Sequence, residues 1–297
     1  MKYQLGYLLL FTSVLFLVSC GKKESVFTDN DVFRYNESAN IQTLDPAFAR
    51  NMAIIWPCTQ LFNGLVQLDD SLHVAPDIAK SWNISTDGLQ YEFTLRNDVY
   101  FHKHKNFGKD STRLVTAYDF EYSFNRVLSE DLASPGTWVF QHVNNYKAVN
   151  DSVFKIDLKN PFPAFLSLLS MKYASVVPKE ITEDKSIDFR SNPIGTGPFQ
   201  FKIWEENVKL VLRKNPNYHE KDSSGKRLPY LESIAITFLP DKQSGFMQFI
   251  QGKIDMISGL DPSYKDELLQ PNGKLQEKYQ DKIKMLTGPY LNTEYLG

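Results

Sequence analysis

An Asp87-Gly88 pair followed by Leu89, Tyr91, Phe93 and Leu95 at every second position is the strongest structural instruction in this sequence. Alternation with Gln90, Glu92 and Thr94 has the period of a half-buried strand, and Asp-Gly supplies the turn that sets a hairpin register. The same period recurs at Phe154, Ile156 and Leu158, at Val208, Leu210 and Leu212, and at Ile234, Ile236 and Phe238. Val32 to Tyr35, Val99 with Phe101, Ile254 to Ile257 and Ile283 to Leu286 read as further strands. Helical spacing lies between them. Thr116 and Asp119 predict a capping box ahead of Phe120, Phe124 and Val127. Pro163 is placed to open a short helix from Ala164 to Leu169. Asp241 caps a helix with Phe246, Phe249 and Ile250 on its apolar side, and Gly252 ends it. Helices joining separated strands predict an α/β (mixed α+β) body with mixed sheets.

The N-terminus predicts where that body works. Lys2 is the one charge before residue 22, and Leu5 to Val18 is apolar. This stretch is shorter than the roughly 20 residues of a spanning helix and has the layout of a secretory signal. An uncleaved membrane anchor is the alternative. Leu17-Val18-Ser19-Cys20-Gly21 resembles a bacterial lipobox, which makes Cys20 the expected lipidation site and mature N-terminus. Residues 21–30 read as a polar tether. Cys58 is then the one remaining thiol, expected to be buried and inert.

Chemistry is sparse. The balance of 33 Lys+Arg against 35 Asp+Glu argues against a nucleic-acid partner. Walker A, G-x-S-x-G and C-x-x-C patterns are absent, and Gly195-Thr196-Gly197 holds only two glycines of a dinucleotide fingerprint. His102 and His104 sit two apart among lysines, which reads as a solvated loop rather than a metal site. No pair of acids stands out for glycoside hydrolysis. Trp56, Trp82, Trp138 and Trp204 read as core or core-edge residues. No cofactor, metal or catalytic residue is expected, and the chain reads as a secreted binder.

Several blocks then read together. Ala79-Lys80-Ser81-Trp82, the 85–96 hairpin and Val99-Tyr100-Phe101-His102 resemble the signature of family 5 extracellular solute-binding proteins, the peptide and nickel receptors of ABC importers. Thr43-Leu44-Asp45-Pro46 and Leu61-Phe62-Asn63-Gly64-Leu65 extend the match upstream. Val115 to Phe120, Asn192 to Pro198, Lys214-Asn215-Pro216-Asn217-Tyr218 and Gly252-Lys253-Ile254-Asp255 extend it downstream, in the family's order.

The resemblance implies a periplasmic-binding-protein-like first lobe of class II/cluster C type. Residues 31–65 and 190–285 would form the main lobe, 66–189 an inserted subdomain, and 286–297 the start of a crossover to a second lobe that this sequence lacks. It implies a substrate-binding lipoprotein that captures peptides outside the cytoplasmic membrane and hands them to a permease and its ATPase. Nickel chelates, haem or oligosaccharides are alternative ligands on the same fold, and a secreted hydrolase is the alternative class. Arg50 and Met52, flanking Asn51, match positions that contact peptide main chain in oligopeptide receptors, with Arg50 where an acid stands there. Gly136 takes the place of a ligand-contacting ring, with Trp138 as its substitute two residues on. A longer basic loop, roughly Lys103 to Arg113, departs from the family pattern.

Overall fold

A computed structural model describes residues 31–258 and 260–287. Cys20, the signal segment and the tether lie outside the described residues, as do 288–297. The strands are β1 (Val32–Asn36), β2 (Val66–Leu68), β3 (Val74–Pro76), β4 (Ala79–Ile84) and β5 (Gln90–Leu95). They continue as β6 (Val143–Asn150), β7 (Val153–Leu158), β8 (Phe199–Glu205), β9 (Lys209–Lys214) and β10 (Ser233–Thr237). The longer helices are α1 (Met52–Leu61), α2 (Ala117–Leu128) and α3 (Lys242–Ile250).

Two four-stranded sheets carry the architecture. One runs β1-β10-β9-β8, mixed, because β1 pairs parallel to β10 while the β10–β9 and β9–β8 pairs are antiparallel. The other, β4-β5-β7-β6, is wholly antiparallel, and β2 with β3 forms a small ribbon between them in sequence. Each sheet buries one face in its own apolar core. Tyr91, Phe93, Phe120, Phe124, Phe154 and Ile156 fill the antiparallel one, and Leu44, Ile54, Leu61, Phe199, Leu212 and Ile236 the mixed one. Phe107 and Ile194 pack against both, so the cores are joined.

Local chemistry explains the elements. Asp119 accepts the Thr116 backbone N–H at 2.8 Å, which starts α2. Phe120, Phe124 and Val127 then bury along one stripe, with Phe124 against the rings of Phe140, Tyr146 and Phe154. Asp241 caps α3 through the Ser244 N–H at 2.8 Å, and Gly252 follows in the left-handed region at φ 70°. Gly88, at φ 70°, closes the β4–β5 turn.

Four expectations are corrected. Val99 and Phe101 are buried but form no strand, because only a single bridge, Tyr100 to Leu114, joins their segment to a neighbour. Ile254 to Ile257 contributes one bridge, Met256 to Tyr35, and Ile283 to Leu286 no strand at all. Apolar runs that short, without a partner edge, cannot build a ladder. Gly195 and Gly197 allow two backbone segments to approach closely. Neither has positive φ, but a Cβ on Gly195 would lie 2.0 Å from the Leu61 carbonyl oxygen and one on Gly197 2.4 Å from that of Gln60.

The fourth correction concerns His102, which is 2% exposed rather than solvated. Nor is the loop after it loose. Phe107 stacks on Phe101, and Arg113 covers Phe101 while pairing with Asp119 at 2.7 Å and Glu180 at 2.6 Å. Partial burial of one ring and one guanidinium makes the basic loop part of the core edge.

Candidate functional site

The segment from Thr43 to Met52 is held from beneath. Thr43 Oγ1 accepts the Asp45 N–H at 3.0 Å, and Asp45 accepts the Ala47 N–H at 3.0 Å, capping the single turn Pro46–Phe48. Arg126, on α2, donates to both Asp45 carboxylate oxygens at 3.1 and 2.6 Å and lies over the Phe189 ring. A bidentate, largely buried pair of this kind fixes direction as well as distance. It ties the Leu44-Asp45-Pro46 motif of the first core to a helix of the second.

Above that anchor, Asn51 caps α1 by accepting the Ile54 N–H at 3.2 Å. Its carbonyl oxygen therefore serves the helix. Arg50 lines an open cavity of about 450 Å³ with Gln42, Thr43, Phe48, Ala133, Pro135 and Arg190. Arg190 is engaged by Glu206 at 2.6 Å and by the Gln42 carbonyl at 2.9 Å. The Arg50 guanidinium has no hydrogen bond or ion pair among the described residues, so it is the free charge of the cavity. Met52 points to solvent at 55% exposure, and Trp138 is 44% exposed; neither lines the cavity.

Gly136 reaches the site indirectly. Ser134 Oγ donates to the Ala47 carbonyl at 2.5 Å and accepts the Gly136 N–H at 3.0 Å, which draws the Ala133-Ser134-Pro135 segment onto the Pro46–Phe48 turn. A Cβ on Gly136 would come within 2.3 Å of the Tyr173 ring. Tyr173 thus occupies the space that a side chain at 136 would take, and it is buried. Burial pushes its hydroxyl pKa up, and the nearby Arg50 charge partly offsets that. The sequence holds no signal for Tyr173, which lies on an isolated single turn, Lys172–Ala174, with no periodic pattern around it. Cys58 is fully buried; desolvation first, then Asp45, drives its thiol pKa up, so it is an inert core residue. No helix among the described residues is long and apolar enough to cross a membrane.

The family described as bacterial extracellular solute-binding proteins, family 5, matches residues 73–297. The chain belongs to this family. Among curated relatives, heme-binding protein A of Haemophilus influenzae is 29% identical over 255 residues, covering 80% of this chain and 44% of its own length. The periplasmic oligopeptide-binding protein of Salmonella typhimurium is 26% identical over 288 residues, covering 90% of this chain and 49% of its own. Among solved structures, a periplasmic binding protein associated with an ABC transporter of Helicobacter pylori, in complex with the peptide STSA, superposes with a TM-score of 0.72 at 26% identity. That superposition covers 80% of this chain and 48% of the other. The family 5 chain therefore spans about half the length of the curated relatives it matches. Each of these relatives is named as a binding protein and none as an enzyme.

Proposed function

We propose that this family 5 protein is the solute-binding lipoprotein of an ABC importer for peptides, anchored outside the cytoplasmic membrane through Cys20 and presenting its ligand to a permease. The observation that carries the ligand class is the free guanidinium of Arg50 in an open cavity of about 450 Å³. An unpaired cation beside apolar Phe48, Ala133 and Pro135, in a cavity that the ion-paired Arg190 and Asp45 also line, suits a peptide carboxylate or a row of backbone carbonyls. Relatives that bind oligopeptide and the peptide STSA support peptide over haem, the ligand in the name of another relative. Met52 and Trp138, exposed outside the cavity, are the apolar surfaces that a longer ligand would meet.

Calorimetry with tri- to pentapeptides tests the reading, using free and amidated C-termini. We expect the free acids to bind more tightly, and Arg50→Glu to weaken them by at least tenfold, about 1.4 kcal/mol. Equal binding of both peptide forms to both proteins would sink the role of Arg50. No peptide binding at all, with haem or a metal chelate bound instead, would sink the ligand class. The anchor is tested separately: membrane-derived protein should begin at an acylated Cys20, and Cys20→Ala should leave the detergent fraction.

A further inference from the structure

Away from the Arg50 cavity, the fold brings together two segments that lie far apart in sequence. Asp77 directly follows β3, while His219 and Glu220 follow β9. One ligand atom from each of these three side chains can be chosen so that all lie within 4.8 Å of one another. Asp77 and His219 are each 3% exposed, and Glu220 is half-buried.

The histidine is what makes this more than an acidic cluster. Both its ring nitrogens are buried without a hydrogen-bond partner. Nε2 nevertheless faces Asp77 Oδ1 at 3.4 Å. A charge-assisted hydrogen bond would close that gap to about 2.7–2.9 Å. Two ligands sharing one metal at bonds of about 2.1 Å and a tetrahedral angle are instead held about 3.4 Å apart. The spacing is that of a coordination edge.

The surroundings fit the same chemistry. Asp77 is oriented by the Asn63 amide, at 3.0 and 3.2 Å to its two oxygens, and by the Gly64 N–H at 3.2 Å. Glu220 accepts from Gln67 Nε2 at 2.8 Å. Donors that hold the carboxylates in this way serve as the outer shell of a metal site. Two carboxylates and an imidazole are donors of the kind that zinc-type ions take. Arg96 is already paired in bidentate fashion with Asp98 at 2.9 Å, while the buried Lys172 ammonium is the cation that feels the charge of Asp77. An open pocket of about 480 Å³, lined by Asn63, Gln67, Lys172 and Tyr218, reaches the Asp77 side of the cluster.

We propose that Asp77, His219 and Glu220 bind a divalent transition-metal ion of the zinc type. The ion clasps the β2–β3 ribbon to the segment that follows β9. It removes the cost of an unpartnered buried imidazole nitrogen, and it is independent of any ligand at Arg50.

The test is a titration of the full chain, stripped with EDTA, using Co²⁺ as a visible probe and then Zn²⁺. One equivalent of Co²⁺ should bind with the strong visible absorption of a tetrahedral site, and Zn²⁺ should displace it. Glu220→Gln, at a half-buried position that should tolerate it, is expected to weaken Co²⁺ at least tenfold while circular dichroism stays unchanged. His219→Gln should abolish the absorption. Zn²⁺ should raise the unfolding temperature of the wild type and not that of Glu220→Gln. If the wild type develops no tetrahedral spectrum, or both variants titrate as it does, Asp77 and His219 are a histidine–carboxylate pair and nothing more. Should His219→Gln fail to fold, Glu220→Gln alone decides.

Discussion

His102 and Gly197 are locked together: Nε2 of the imidazole lies 3.0 Å from the Gly197 carbonyl, while Nδ1 accepts the Gly195 N–H at 3.2 Å. A nitrogen that accepts from an amide carries no proton, so the ring is neutral, with its proton on Nε2 donated to Gly197. The histidine thereby holds the Gly195-Thr196-Gly197 strap against the end of α1. Burial lowers its pKa to about 4, with the Gly197 carbonyl opposing that shift.

Acid sensitivity follows from that neutral ring. The unfolded histidine titrates near its ordinary value of about 6.5, and the folded one near 4. Between these values the unfolded chain binds the extra proton, so stability is full above about pH 6.5 and falls as pH drops towards 4. The loss from this group is of order 3 kcal/mol. Urea unfolding from pH 7 to 4 should show His102→Gln starting less stable and losing less over the same interval. A parallel decline in the two proteins would mean that His102 titrates normally.

Gly195→Ala should be among the most damaging single-methyl changes available. Its Cβ would meet backbone, the Leu61 carbonyl oxygen at 2.0 Å, and backbone cannot rotate aside. Overpacking costs typically 1–3 kcal/mol, and this contact should lie at or above the top of that range, about 3 kcal/mol. A denaturation midpoint within about 0.5 kcal/mol of the wild type would contradict it.

Arg126→Met should cost about 3–5 kcal/mol, because it strands the Asp45 carboxylate, whose side chain is 6% exposed, without its cation. Adding Asp45→Asn should recover part of the loss. The double-mutant cycle reads this directly: an additive result would mean that the pair is not coupled.

Gly136→Ala should destabilise by about 1–3 kcal/mol by displacing the Tyr173 ring, and Tyr173→Ala should relieve that penalty. The diagnostic measurement is the pairwise term, expected to exceed about 1 kcal/mol. Peptide affinity should change with Gly136→Ala as well, since Tyr173 lies close enough to feel the Arg50 charge.

Period-two alternation made β5, β7, β9 and β10 readable, and capping chemistry did the same for α2 and α3. Helix α1 was hidden because Pro57 sits inside it and its buried residues, from Ala53 to Leu61, show little one-sided pattern. The role of His102 was equally hidden. Lysine neighbours at 103 and 105 suggest solvent, whereas the partner that buries the ring lies more than ninety residues on. The Arg50 position was reached only by family resemblance, and Tyr173, against Gly136, by neither route. Asp77 and His219 meet across an even longer separation, and single-chain patterns carry no information at that range.

The parallel pairing of β1 with β10 sets the timing of assembly. Val32 finds its register against Ser233, about 200 residues later in the chain. Non-local pairings of that reach slow folding, because the closing loop must be ordered before the contact rewards it. The mixed sheet cannot acquire its β1 edge until most of the polypeptide is available. Before the segment bearing β10 is in place, the backbone groups of Val32–Asn36 lack the strand that pairs with them.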